Sequence, residues 1–222
     1  EILFTLEDMK DAVNGVKEFN YTVREVLGSA EGYIYDDTKY TVTMIVKLNS
    51  ETNQLSVEVK NNVVPGFINY YVKPVEAKIE ATKTLNGEKP TNGKFTFELT
   101  AEEGTPMPKA NAEGKVIVTN DANGKVVFPA IEYTLEDMKD AVDDKKTFTY
   151  TVREVVDTNN REAGYIYDEV GKTVTVTVSL VKNEETGIME LVTNVNNGVV
   201  PEIKNIYVEP EPGVIKATKT LK

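Results

Sequence analysis

The sequence predicts an all-β chain: tandem Ig-like antiparallel β-sandwiches with one short helix per repeat. Three observations carry that prediction. Short segments alternate apolar and polar residues with a period of two, Asn-Gly turns separate them, and one pattern of motifs occurs twice along the 222 residues. Alternation places successive side chains on opposite faces of a strand. Many short strands without β-α-β alternation favour a sandwich.

The predicted elements follow in order. An opening strand puts Ile79, Ala81, Lys83 and Leu85 on one face. KFTFELTA (94–101), KVIVTND (115–121) and KVVFPAI (125–131) come next, with Asn-Gly at 92–93 and 123–124 as turn signals. A helical island follows, in which Thr134 caps TLEDMKDAV and Leu135, Met138 and Val142 share a face. TFTYTVREV (147–155), KTVTVTVSLVKN (172–183) and GIMELVTN (187–194) are again β-branched, alternating runs. A terminal strand carries Ile203, Asn205 and Tyr207 on one face.

The repeat sets the domain organisation. FTLEDMKDAVNGVKEFNYTVRE (4–25) is answered by YTLEDMKDAVDDKKTFTYTVRE (133–154), GYIYDD (32–37) by GYIYDE (164–169), and ATKTL (81–85) by ATKTL (217–221). Asn69 and Asn205 stand 136 residues apart (205 − 69), as do Lys83 and Lys219 (219 − 83). One unit is therefore a domain of ordinary size. Residues 1–73 are expected to form the C-terminal part of one repeat, 75–208 a complete repeat, and 211–222 the first strand of another. The Pro-containing joints VKPVEA (72–77) and VEPEPGV (208–214) are short and extended, which predicts a stiff string. The chain opens without Met or a signal peptide, as a mature protein or a piece of a longer one would.

Composition excludes several functions. There is no Cys and no His, so thiol nucleophiles, thiolate metal sites and imidazole bases are absent. A net charge of -11 lacks the basic footprint that nucleic acid or an anionic membrane requires. No apolar run approaches the roughly 20 residues of a bilayer span. No cofactor is expected. The loop NDANG (120–124) has the look of a Ca²⁺ loop but lacks the ligand count and closing Glu, and a hairpin turn accounts for it.

Strand parity isolates three polar residues on apolar faces. Phe148, Tyr150 and Val152 are followed in phase by Glu154, and Phe19, Tyr21 and Val23 by Glu25. Asn205 lies between Ile203 and Tyr207, Asn69 between Phe67 and Tyr71, and Lys83 between Ala81 and Leu85. Lys219 repeats the place of Lys83. A buried charge costs several kcal/mol unless it is paired or neutralised. Chemistry offers a reason for the trio. Burial would free a neutral amine on Lys83 and keep Glu154 protonated, and Glu154 could then donate to the Asn205 carbonyl and carry protons to departing ammonia. The product is an amide between Lys83 and Asn205, a staple that acts as a disulfide does on a long loop.

A-T-K-T-L (81–85), F-T-Y-T-V-R-E (148–154) and I-K-N-I-Y (203–207), in that order, resemble the isopeptide-forming pilin domains of Gram-positive surface proteins, the streptococcal pilin isopeptide-linkage family. The resemblance implies a CnaB-like fold, with Lys83 bonded to Asn205 and Glu154 as catalyst. It implies the same roles for Glu25 and Asn69, whose lysine would lie upstream, and for Lys219 in the next repeat. It further implies an extracellular shaft anchored to a cell wall or built into a pilus, head-to-tail contacts with neighbouring repeats or subunits, and a host ligand at a distal tip. No LPxTG-like or YPK-like motif occurs in 1–222, so a tandem-repeat adhesin stalk stands beside a pilin. Lys219 meeting the Glu25–Asn69 pair of a neighbouring molecule is a further possibility.

The competing class is a ligand-binding sandwich of a surface adhesin, for carbohydrate or host protein, which would use Tyr33, Tyr35, Tyr165 and Tyr167 with Asp36 and Asp168. Parity puts Tyr165 and Tyr167 on one face, the pattern of a core pair. A turnover enzyme fits least, because the trio would consume itself in a single reaction.

Overall fold

The alternating runs become strands. A computed structural model describes residues 1–159 and 161–221 and divides the chain into two units, Glu1–Tyr71 and the stretch from Val72 onward. The first unit contains β1 (Val16–Arg24), β2 (Tyr33–Ile34), β3 (Lys39–Asn49), β4 (Gln54–Val59) and β5 (Tyr70–Tyr71). They form a three-stranded sheet β1-β3-β4 and a two-stranded sheet β2-β5.

The second unit contains β6 (Val75–Ala77), β7 (Glu80–Leu85), β8 (Thr96–Ala101), β9 (Val116–Thr119), β10 (Lys125–Val127), β11 (Ile131–Tyr133), β12 (Lys145–Glu154), β13 (Tyr165–Ile166), β14 (Lys172–Lys182), β15 (Met189–Val195) and β16 (Glu202–Tyr207). A five-stranded sheet, β15-β14-β12-β8-β9, packs against a four-stranded one, β10-β7-β16-β13, and β11 pairs with β6 at the side. The inner faces bury Phe97, Leu99, Tyr150, Val152, Val174 and Val176 from one sheet and Ile79, Ala81, Val126 and Ile203 from the other. The architecture is the all-β, Ig-like sandwich that the alternation predicts.

Two details differ from the expectation. The opening and closing strands are not antiparallel: β7 and β16 run parallel, with Ile203 opposite Lys83 and Asn205 opposite Leu85. The helical island is one 3₁₀ turn, Glu136–Met138, and Glu7–Met9 repeats it in the first unit. Asp137 holds the turn by accepting from the Thr134 main-chain N–H at 2.7 Å and its hydroxyl at 2.8 Å. Asp140, Asp143 and Asp144 then take positive φ values of 65°, 50° and 58°, which no helix accommodates. Met138 is buried while Val142 is 73% exposed, so the predicted helical face does not exist.

Residues 211–221 form no strand and are exposed, and Lys222, the end of the expected opening strand there, lies outside the described residues. Among the described residues no helix is long and apolar enough to cross a membrane.

Candidate functional site: a buried Lys–Glu–Asn cluster

Lys83, Glu154 and Asn205 meet between the two sheets of the second unit. Each arrives there by parity. Ile79, Ala81 and Lys83 are all 0% exposed, as are Tyr150 and Val152 ahead of Glu154 at 4%, and Ile203 ahead of Asn205 at 1%. The parallel pairing of β7 with β16 sets Lys83 and Asn205 on adjacent strands, and β12 in the facing sheet brings the carboxylate over both.

The carboxylate bridges its neighbours. Lys83 Nζ donates to Glu154 Oε2 at 2.6 Å, and Asn205 Nδ2 donates to Glu154 Oε1 at 2.8 Å. Asn205 Oδ1 accepts the main-chain N–H of Asp168 at 2.9 Å. A main-chain N–H only donates, so this bond fixes which end of the amide faces Glu154. The expected donation from Glu154 to the amide carbonyl is therefore not the arrangement found. Glu154 holds the amide nitrogen, and the carbonyl oxygen belongs to Asp168.

Burial pushes the Lys83 ammonium below the ordinary lysine range, against the hydrogen bond and charge of Glu154 and the charge of Asp168. Its Nζ also lies 4.6 Å from the centre of the Phe95 ring. An amine that is desolvated yet hydrogen-bonded to a base is prepared to act as a nucleophile.

The first unit holds half of the same arrangement. Asn69 Nδ2 donates to Glu25 Oε1 at 2.7 Å, and Asn69 Oδ1 accepts the Asp36 N–H at 2.9 Å. Glu25 Oε2, the counterpart of the oxygen that binds Lys83, is buried without a hydrogen-bond partner. Asn69 is exposed, since β5 pairs only with β2, whereas Asn205 is covered on a strand flanked by β7 and β13. Lys219 is exposed and belongs to no strand.

The tyrosines pack on one another. Tyr165 stacks on Tyr167 with ring centres 5.7 Å apart and meets Tyr207 at 5.0 Å, and Tyr33 meets Tyr35 at 6.0 Å and Tyr71 at 5.1 Å. A similar but tilted cluster recurs in the first unit, where Tyr33 and Tyr71 are 44% and 49% exposed. Asp121 of the 120–124 loop accepts the N–H groups of Asn123 at 2.8 Å and Lys125 at 2.7 Å, as a hairpin turn requires. Among the described residues no cluster of three or more acidic groups is placed to hold a metal ion.

The residue that the trio omits is Asp168. Its signal lies in the repeated YIYD, where Asp36 and Asp168 occupy one position.

Compared with known families, the chain matches the model described as FctA, Spy0128-like isopeptide containing domain, over residues 4–72 and again over 79–208. No curated protein matches it.

Proposed function

The chain belongs to the FctA family of Spy0128-like isopeptide containing domains, a pilin-type structural domain of the cell surface, and from that premise we propose that Lys83 and Asn205 join in a self-made amide. The observation that carries this reading is Glu154, buried between an amine and a carboxamide and hydrogen-bonded to both.

The chemistry balances within the cluster. The Lys83 ammonium passes a proton to Glu154 Oε2, and the freed Nζ attacks Cγ of Asn205. The Cγ–Nδ2 bond then breaks as Glu154 delivers that proton to Nδ2. Of the three protons on the ammonium, one stays in the new amide, one converts the departing NH₂ to ammonia, and the third leaves with it as ammonium. Glu154 returns to a carboxylate, and each site reacts once.

Glu25 and Asn69 are the same pair in the first unit, with Glu25 Oε2 left for an amine, and Lys219 is the lysine of the second ATKTL motif. The chain serves as part of the shaft of a pilus or fibrous adhesin on a Gram-positive wall, in contact with neighbouring repeats or subunits and with any host ligand at a distal tip.

The test is the intact mass of the denatured chain, expected to fall short of the sequence by one ammonia, not two, because the Glu25–Asn69 pair has no lysine partner among the described residues. Succinimide formation at an Asn-Gly bond also expels ammonia, so tandem mass spectrometry must find the branched peptide joining Lys83 to Asn205. A chain at its full sequence mass overturns the proposal.

Stability against pH gives a second check. In Glu154→Gln, Lys83 titrates without its carboxylate, and burial holds its folded pKa below the unfolded value near 10.4. The unfolded chain then binds the proton more tightly, so stability rises with pH up to that value and is lost as pH falls through the window below it. In the linked chain Lys83 is an amide and contributes no such slope. Denaturant melts of the two proteins across mildly acidic to alkaline pH should diverge in that sense, and parallel pH profiles would contradict it.

A further inference from the structure

We propose that the main-chain N–H of Asp168 is the oxyanion donor for the Lys83–Asn205 condensation, with the Asp168 carboxylate positioning it. This rests on the amide-forming reading above and adds to it the group that stabilises the transition state. When Nζ adds to Cγ, negative charge collects on Asn205 Oδ1. The carboxylate of Glu154 faces Nδ2 and the amine, so it does nothing for that charge. The Asp168 N–H already points at Oδ1 from 2.9 Å, inside the range required of such donors. The site lies between two sheets, where a fixed donor is worth more than in water.

The donor is locked in place. Asp168 Oδ1 accepts the N–H of Val170 and Oδ2 accepts the N–H of Lys204, both at 3.3 Å, and Lys172 pairs with the carboxylate at 2.9 Å. Lys204 immediately precedes Asn205. Asp168 thus grips the terminal strand twice, through its side chain one residue before the reacting amide and through its N–H at that amide.

The first unit repeats the three main-chain bonds of the bracket, without the lysine, since Tyr40 stands where Lys172 does. Asp36 N–H meets Asn69 Oδ1 at 2.9 Å, Thr38 N–H meets Asp36 Oδ1 at 2.9 Å, and Ile68 N–H meets Asp36 Oδ2 at 3.0 Å. Glu25 Oε2 there has no partner, so the bracket forms without a lysine on the carboxylate. It is built before the reaction, as a preorganised donor must be.

The experiment uses the whole chain made by cell-free synthesis, quenched in acid at intervals and weighed. Replacing Asp168 by its α-hydroxy acid changes the main-chain amide to an ester, deleting the N–H and keeping the carboxylate. Ammonia loss should slow about a hundredfold. The same exchange at Glu185 deletes an N–H that donates to the Asn183 side chain in a hairpin turn outside the site, and should leave the rate within a few-fold of the parent. Equal slowing in both would mark the loss as the general cost of an ester and overturn the proposal, as would a 168 ester that reacts at the parental rate. If the parental chain itself loses no ammonia, the amide-forming reading falls and takes this one with it.

Discussion

Glu154→Gln should leave the chain folded and at its full sequence mass. Glutamine matches the shape of the carboxyl group but carries no proton between Lys83 and the departing nitrogen. Positioned acid–base groups supply about 10²- to 10⁴-fold in rate, so bond formation should slow by that much in this variant, as mass spectrometry over hours or days would show. Lys83→Arg gives the same mass result for another reason: a guanidinium stays charged and does not attack. Lys83→Met removes the nucleophile at nearly constant volume but leaves Glu154 buried without its cation, so that variant should also be the least stable of the three. The branched peptide appearing in Glu154→Gln at the parental rate would remove Glu154 from the mechanism.

The second large effect is on stability. An amide between Lys83 and Asn205 closes a loop of more than a hundred residues. On the chain-entropy account such a closure stabilises by about 5 kcal/mol. For a unit of this size that is a melting temperature some 10–20 °C higher in the parent than in Glu154→Gln. Reducing agents should not alter it, because the chain has no cysteine. Trypsin nicks between 84 and 204 should leave the flanking pieces joined on a denaturing gel. Matching melting curves for the two proteins would mean the bond is absent or closes nothing that matters.

Parity made most of this legible. A side chain's face is fixed by counting along a strand, so Lys83, Glu154 and Asn205 could be put in the core from the sequence. What counting lacks is direction. It did not show that β7 and β16 run parallel, since parity is the same either way. Nor could it tell which end of the Asn205 amide meets Glu154, because that depends on an N–H from a loop thirty-seven positions away in the chain. The helix at 134–142 was misjudged because its apolar spacing was right. Lys139 turns extended at ψ 134° and Asp140 adopts a positive φ, which ends it after one turn, and aspartate is only one of several residues that tolerate that region. In the first unit the parity of Asn69 agrees with Asn205 but its burial does not, since burial depends on which strands lie alongside.

The parallel course of β7 and β16 has a mechanical consequence. The chain enters the unit through the short β6, runs into β7 and leaves through β16, so a pull on its two ends loads the β7–β16 pair in shear along its whole length, not bond by bond as in unzipping. With Lys83 joined to Asn205, tension crosses from one strand to the other through a single covalent bond, and residues 84–204 drop out of the line of force. About 120 residues at roughly 3.4 Å each, on the order of 400 Å of slack, could then never be paid out. Such a unit would answer a sudden load as a rod of fixed length and would fail only where a covalent bond fails.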